Sequence, residues 1–161
     1  MTETPSFTIA TVESPADLAD VIALFRAYAE SLPVDLAYQG FEAEMAAMPG
    51  KYAGPKGALL IARNDAGRAV GCAALRPLEA PGACEMKRLY VTAEGRGRKL
   101  GKRLVDRLFD EARRIGYREM RLDTLPSMLD AQALYRRFGF EPMEPYYDTP
   151  VEGTVFMRKV L

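Results

Sequence analysis

Apolar residues recur along this chain at two spacings, and the switches between them outline its elements. Phe7–Glu13 alternates weakly and predicts a first strand. Ser14-Pro15 reads as an N-cap followed by proline at the first helical position. Leu18, Val21, Ile22, Phe25 and Tyr28 then repeat at helical spacing, which predicts a helix to about Glu30. After a connection over Ser31–Tyr38, Phe41–Met48 predicts a shorter helix that ends before Pro49-Gly50. The glycines and proline of Gly50–Gly57 predict a loop. Ala58–Arg63 and Ala69–Leu75 are apolar runs joined by Asn64-Asp65-Ala66-Gly67, a hairpin signal. Pro77–Gly82 turns the chain into a strand at Cys84–Val91. Leu100, Leu104, Leu108, Ala112 and Ile115 mark one face of a helix that stops at Gly116. Glu119–Thr124 predicts a short strand, Ala131, Leu134, Tyr135 and Phe138 a helix to Gly139, and Thr154–Lys159 a closing strand.

The predicted order is β-α-α-β-β-β-α-β-α-β-β, a mixed α/β class with an antiparallel first half and one βαβ crossover from Glu85 to Thr124. The crossover sets two parallel strands side by side around a helix. Ligands of such sheets bind beyond the carboxyl ends of the strands, at the helix N-terminus. No repeat or linker interrupts the pattern, so a single domain over 1–161 is expected.

Composition narrows the chemistry. Lysine plus arginine and aspartate plus glutamate each number 22, so no net field draws the chain to nucleic acid or membrane. Basic residues do outnumber acidic ones over Arg96–Arg121, a surplus that suits a solvated helix face and phosphate ligands better than a nucleic-acid patch. The polar start at Met1–Ser6 lacks the apolar core of a signal peptide, and no apolar run approaches the roughly 20 residues of a membrane span. A cytoplasmic location is expected. The chain contains no histidine, which removes Ser-His-Asp and Cys-His nucleophilic sites and histidine metal ligation. Cys72 and Cys84 lack metal-ligand spacing and read as small buried apolar residues. Catalysis, if present, falls to carboxylates, tyrosines, backbone groups or a cosubstrate, and no metal is expected.

Glu85–Gly101, EMKRLYVTAEGRGRKLG, carries the strongest signal. A helix that opens on Arg96-Gly97-Arg98-Lys99-Leu100-Gly101 offers free backbone N–H groups and a positive dipole end to an anion. The cations and glycines there suggest a pyrophosphate, and hence a nucleotide-containing ligand. Gly97 and Gly101 are too close for a Walker A loop, and Arg103 stands where that loop needs Ser or Thr. Gly95, Gly97 and Gly101 with Asp123 mimic a dinucleotide fingerprint. Against it, Thr92-Ala93-Glu94 separates strand from glycine, and Glu85, Lys87 and Arg88 interrupt a strand that would be apolar.

Arg96-Gly97-Arg98-Lys99-Leu100-Gly101 resembles motif A of the GNAT superfamily of N-acetyltransferases, Q/R-x-x-G-x-G/A. Ala133-Leu134-Tyr135-Arg136-Arg137-Phe138-Gly139-Phe140 resembles its motif B, and the element order matches over nearly the whole chain. The resemblance implies a GNAT fold in which acetyl-CoA lies between the splayed parallel strands. It implies that Leu89, Tyr90 and Val91 line the pantetheine, with an N–H near Leu89 polarising the acetyl carbonyl. It implies too that Arg96, Gly97, Arg98, Lys99, Leu100, Gly101 and Lys102 hold the pyrophosphate. Lys99 departs from the motif's first glycine. Placed in a helical first turn, it is expected to cost no backbone strain. Met128 stands where many relatives carry asparagine.

The same resemblance implies that Tyr135 partners the leaving thiolate, the alternative being a core tyrosine on the stripe with Ala131 and Phe138. Glu85 is the candidate general base, the alternative being a strand carboxylate paired with Lys87 or Arg121. Because a tyrosine near pKa 10 gains little by protonating a thiolate near 8.5, a hydrogen bond to sulfur suits Tyr135 better than proton donation. A carboxylate base needs a water relay, or an amine that arrives neutral. The expected reaction is direct transfer to a primary amine, a small molecule rather than a protein tail. Tyr28, Tyr38, Phe41, Glu42, Tyr146, Tyr147 and Asp148 are available to the acceptor. The competing expectation is a non-catalytic CoA-binding module. Homodimers are common in the superfamily, and no segment marks an interface.

Overall fold

The computed structural model describes residues 6–161, so all of the polar start except Ser6 lies outside the described residues. A seven-stranded mixed sheet runs in the order β1-β2-β3-β4-β5-β7-β6. Its strands are β1 (Thr8–Thr11), β2 (Ala58–Arg63), β3 (Ala69–Pro77), β4 (Ala83–Val91), β5 (Glu119–Thr124), β6 (Glu141–Met143) and β7 (Val155–Val160). Only β4 and β5 pair in parallel; every other neighbour is antiparallel. The helices are α1 (Pro15–Ser31), α2 (Phe41–Ala46), α3 (Leu100–Ile115) and α4 (Leu129–Arg137), with short 3-10 turns at Leu36–Gln39, Gly50–Tyr52 and Ala93–Gly95. The predicted order holds throughout.

Two apolar layers sandwich the sheet. On one face Val21, Leu24 and Phe25 of α1, with Phe41 and Met45 of α2, pack on Leu59, Ile61, Cys72 and Ala74. On the other, Leu100, Leu104, Val105, Leu108 and Phe109 of α3 and Tyr135 of α4 pack on Leu60, Ala62, Ala73, Leu75 and Met120. Neighbouring residues of β2 and β3 therefore serve opposite faces and both are buried, which is why these strands read as unbroken apolar runs. The helix ends follow their local chemistry. Ser14 Oγ accepts the Asp17 N–H at 3.0 Å, and Gly116, at φ +107°, closes α3 with its N–H on the Ala112 carbonyl.

Two features open the middle of the sheet. The β4–β5 ladder extends only over Ala83↔Glu119, Cys84↔Met120 and Glu85↔Arg121. Beyond it β5 continues along β7 to Thr124, while β4 continues along β3. Between the Ala74↔Lys87 and Cys72↔Tyr90 pairs, Arg88 and Leu89 face Ala73 alone. Arg88 takes φ +60° to form this bulge. Such a bulge bends its strand and raises the local twist, carrying the end of β4 away from β5.

The start of α3 corrects the sequence expectation. The helix begins at Leu100, not Arg96, and Arg96–Lys99 form a turn with Gly97 at φ +83° and Lys99 at φ +56°. Lys99 is therefore the left-handed N-cap, not a first-turn helical residue, and its backbone is strained where glycine's is not. Relief of roughly 1–2 kcal/mol of strain, less roughly 0.5–1 kcal/mol of extra chain entropy lost, gives Lys99→Gly a net gain of about 0.75 kcal/mol at the midpoints. Thermal unfolding should rise by about 1–4 °C, and a fall would show that the lysine side chain holds the turn. Leu108 is fully buried. Leu108→Ala should cost about 2–5 kcal/mol and lower the melting temperature by about 5 °C or more, read in the same scan.

Candidate active site

The turn between β4 and α3 is shaped by a close backbone approach. A Cβ on Gly95 would lie 2.9 Å from both the Val70 carbonyl oxygen and Val91 Cγ1, so only glycine lets the chain cross the end of β3 here. The left-handed Gly97 and Lys99 then alternate with their neighbours, a geometry that turns successive N–H groups to one side. No side chain caps α3, and the first amide of its ladder is Arg103, bonded to the Lys99 carbonyl at 3.0 Å. The amides of Leu100, Gly101 and Lys102 consequently have no partner among the described residues. A Cβ on Gly97 would meet nothing within 4 Å, so the space in front of the turn is open. Arg96, Arg98, Lys99 and Lys102 are exposed around it. Thr92 Oγ1, at the foot of the turn, is buried without a hydrogen-bond partner among the described residues.

Behind the turn, the gap between β4 and β5 exposes backbone. The Thr92 N–H donates to the Val70 carbonyl at 2.9 Å, which fixes the phase of hydrogen bonding along the end of β4. Tyr90, opposite Cys72, is in the same phase and bonds toward β3. Leu89 and Val91 alternate with them and turn their N–H and C=O groups toward β5, where the ladder has already ended. The structure thus brings Leu89, Val91 and the residues from Arg96 to Lys102 along one continuous opening. Tyr90 differs, since its backbone is engaged with β3 and its ring packs edge-on against Tyr28.

Tyr135 looks into the same cleft from α4, together with Tyr28, Tyr38, Gln39, Lys87, Leu89 and Asp123. It also packs edge-on against Phe140 in the core, so both readings of this residue describe part of its setting. Its hydroxyl has no hydrogen-bond partner among the described residues. Burial, then Tyr28 and Asp123 beside it, push its pKa well above the ordinary tyrosine value. The hydroxyl therefore stays protonated and available as a donor.

Glu85 is 1 % exposed and lies below the cleft rather than on it. Its expected partners were Lys87 and Arg121. Lys87 does pair with Oε1, at a long 3.8 Å, but Arg76 grips the same oxygen through two nitrogens, at 2.9 and 3.0 Å, and the Tyr146 hydroxyl donates to Oε2. Arg121 pairs with Glu119 while its guanidinium stacks on the Tyr146 ring. The pairing differs because the β3–β4 register sets Arg76 directly across from Glu85, a relation no local sequence spacing reveals.

Around Glu85 lies a charge cluster that sequence reasoning saw only as polar interruptions of a strand. Arg88 bonds Glu44 at 3.0 Å and Gln39 at 3.0 Å and covers the Phe41 ring. The Tyr52 hydroxyl donates to Glu44 at 2.7 Å. Lys87 lies 3.6 Å from Asp123, which accepts the Tyr147 hydroxyl at 2.6 Å. Burial, followed by the adjacent carboxylate, raises the pKa of Tyr52, Tyr146 and Tyr147 alike. Of the residues expected near the acceptor, Tyr28 and Tyr38 line the cleft and Tyr146 and Tyr147 cap its carboxylates. Glu42 instead pairs with Arg26 at the surface, and Asp148 is exposed. In the sequence Asp123 drew notice only as the strand-end acid of the dinucleotide look-alike, not as part of this cluster.

With this geometry in place, the chain's relatives give it a family. Residues 21–140 match the model of the acetyltransferase (GNAT) family. A Schizosaccharomyces pombe protein named as an uncharacterised N-acetyltransferase is 42% identical over 98% of this chain and 97% of its own. A crystal structure from Klebsiella pneumoniae, described as a putative acyl-CoA N-acyltransferase, superposes with a TM-score of 0.74. It is 31% identical and covers 96% of this chain and 97% of its own. The fold also matches a GNAT superfamily phosphinothricin acetyltransferase from Sinorhizobium meliloti solved in complex with AcCoA. There the TM-score is 0.70 at 20% identity, over 96% of this chain and 88% of that one. An open strand pair, a turn of unpaired amides at its mouth and these relatives lead to one conclusion: the chain belongs to the GNAT acetyltransferase family.

Proposed function

We propose that this protein transfers an acetyl group from acetyl-CoA to a primary amine of a small molecule, directly and without an acyl-enzyme. The observation that carries the reading is the gap between β4 and β5, with the polar backbone of Leu89 and Val91 turned into it and unpaired amides at its mouth. Leu89 and Val91 suit the amide groups of a pantetheine chain, and the amides and cations from Arg96 to Lys102 suit a pyrophosphate. The Leu89 N–H is the donor for the acetyl oxygen, which gains negative charge as the amine adds.

The amine nitrogen attacks the thioester carbon, the C–N bond forms, the C–S bond breaks, and the nitrogen sheds a proton. Once the new bond exists that nitrogen is far more acidic than the free ammonium, so a carboxylate within reach can take its proton. Asp123 faces the cleft and Glu85 does not, so Asp123 is the direct acceptor in this reading. Glu85 acts behind it, holding Arg76 and Tyr146 in place. The Tyr135 hydroxyl donates to the departing sulfur. Neither cysteine competes as a nucleophile: burial raises both thiols, Cys84 to about 12 and Cys72 further. The chain's place is read as cytoplasmic, and no described helix is long and apolar enough to cross a membrane.

Calorimetry should show acetyl-CoA binding, and a panel of primary amines should contain members that release free CoA. Absence of binding would sink the whole reading, whereas binding without turnover on any amine would favour a non-catalytic module. Loss of a hydrogen bond to a charged sulfur costs about 1.5–3 kcal/mol, so Tyr135→Phe should lower kcat about 10- to 100-fold with acetyl-CoA affinity little changed. Asp123→Asn should lower kcat/KM by about 100-fold or more with the melting temperature nearly preserved. Glu85→Gln should do the reverse, losing stability first because Arg76 is left without its buried counter-ion. Equal activity losses for the two carboxylate variants would put Glu85 back among the catalytic groups.

A further inference from the structure

Three buried or half-buried cations meet in the charge cluster, and two of them are firmly held. Arg76 has Glu85 at 2.9 Å, and Arg88 has Glu44 and Gln39, each at 3.0 Å. Lys87 is different. It is 7 % exposed, yet its nearest acceptors among the described residues are Gln39 Oε1 at 3.4 Å, Asp123 Oδ1 at 3.6 Å and Glu85 Oε1 at 3.8 Å. Charge-assisted N–H···O contacts settle near 2.7–2.9 Å. Each of these oxygens belongs to a group with a closer partner: Arg88 for Gln39, Tyr147 for Asp123, Arg76 for Glu85. A buried ammonium held this loosely costs the fold free energy, and it lines the cleft beside Tyr135 and Leu89.

We propose that the acceptor is an amine that also carries a carboxylate close to its nitrogen, an α-amino acid or near relative. Lys87 receives the carboxylate and Asp123 the ammonium, which passes one proton to water before its nitrogen attacks and the second to Asp123 once the C–N bond has formed; the inference rests on the acetyltransferase reading above. The Lys87–Asp123 separation of 3.6 Å is the key distance. A molecule bearing both charges on one carbon replaces one long ion pair with two close ones.

Charge balance favours the same class. Arg76, Lys87 and Arg88 already match Glu44, Glu85 and Asp123 one for one. A zwitterion enters this neutral cluster without upsetting it. A simple alkylammonium, or a lysine side chain of a protein, brings one uncompensated positive charge into a site with little water to screen it. Its own carboxylate is what makes the acceptor's ammonium tolerable beside Lys87.

The test is binding of matched pairs, each an α-amino acid and its primary amide, to the full-length protein loaded with CoA. Calorimetry should find at least one acid bound tenfold or more tighter than its amide. Lys87→Met should bring that ratio toward one, and Lys87→Arg should keep the preference; thermal unfolding of the CoA-loaded variants confirms that each is folded. The proposal is overturned if no acid binds, if amides match their acids throughout, or if Lys87→Met weakens acid and amide equally. CoA release measured on the same pairs separates the two readings. Acids that bind selectively but free no CoA leave the carboxylate site standing and remove the acetyltransferase.

Discussion

The parting of β4 from β5 is the constraint from which the site follows. A parallel ladder ordinarily buries its backbone groups between strands, and an opened one leaves donors and acceptors without partners at a cost of order 1–3 kcal/mol each. Here the ladder ends at Glu85↔Arg121, and the bulge at Arg88–Leu89 bends β4 toward β3. The strand is held on its other side by nearly the full length of β3, so the bulge persists although Arg88 sits in a left-handed conformation. The gap then offers what an amide-rich chain needs, with a helix start at its mouth to receive charge. A straight β4 would fill the gap with its own sheet bonds and leave no site.

Opening the sheet also explains why so many charges lie beneath it. The residues of β4 that approach the gap are Glu85, Lys87 and Arg88, each nine-tenths buried or more. Elements distant in sequence bring their partners: Glu44 from α2, Arg76 from β3 and Asp123 from β5. A closed network of this kind contributes little net stability relative to an apolar core. Its value lies in fixing where each side chain stands, since loss of Glu85 or Glu44 would strand the arginine it holds.

The fold was legible because it is written in local periodicity. The helical stripe of α3, the hairpin at Asn64–Gly67 and the Ser14-Pro15 cap each depend on neighbours within a few residues, and each appears where expected. The amide turn was legible as composition but not as conformation. Glycines announce freedom, and nothing local shows that a lysine takes a left-handed angle at residue 99. The charge cluster was least legible. Arg76 meets Glu85 through strand register, and Arg88 meets Glu44 across a separation of 44 residues. Polar residues within a strand that was otherwise apolar were the one available signal, and they pointed to the site rather than away from a buried strand.

Adjacent tyrosines complete the arrangement. Tyr146 donates to Glu85 on β4 and Tyr147 to Asp123 on β5, so one dipeptide of the β6–β7 connection spans the two strands where their own hydrogen bonds have stopped. Their rings pack on each other and on Phe156 of β7, which anchors the dipeptide to the sheet. Side-chain bonds therefore stand in for the missing ladder without closing it. They fix the strand separation while leaving the backbone of Leu89 and Val91 free. Because the Tyr147 hydroxyl is the one that reaches Asp123, that contact both ties the dipeptide to β5 and orients the carboxylate that faces the cleft.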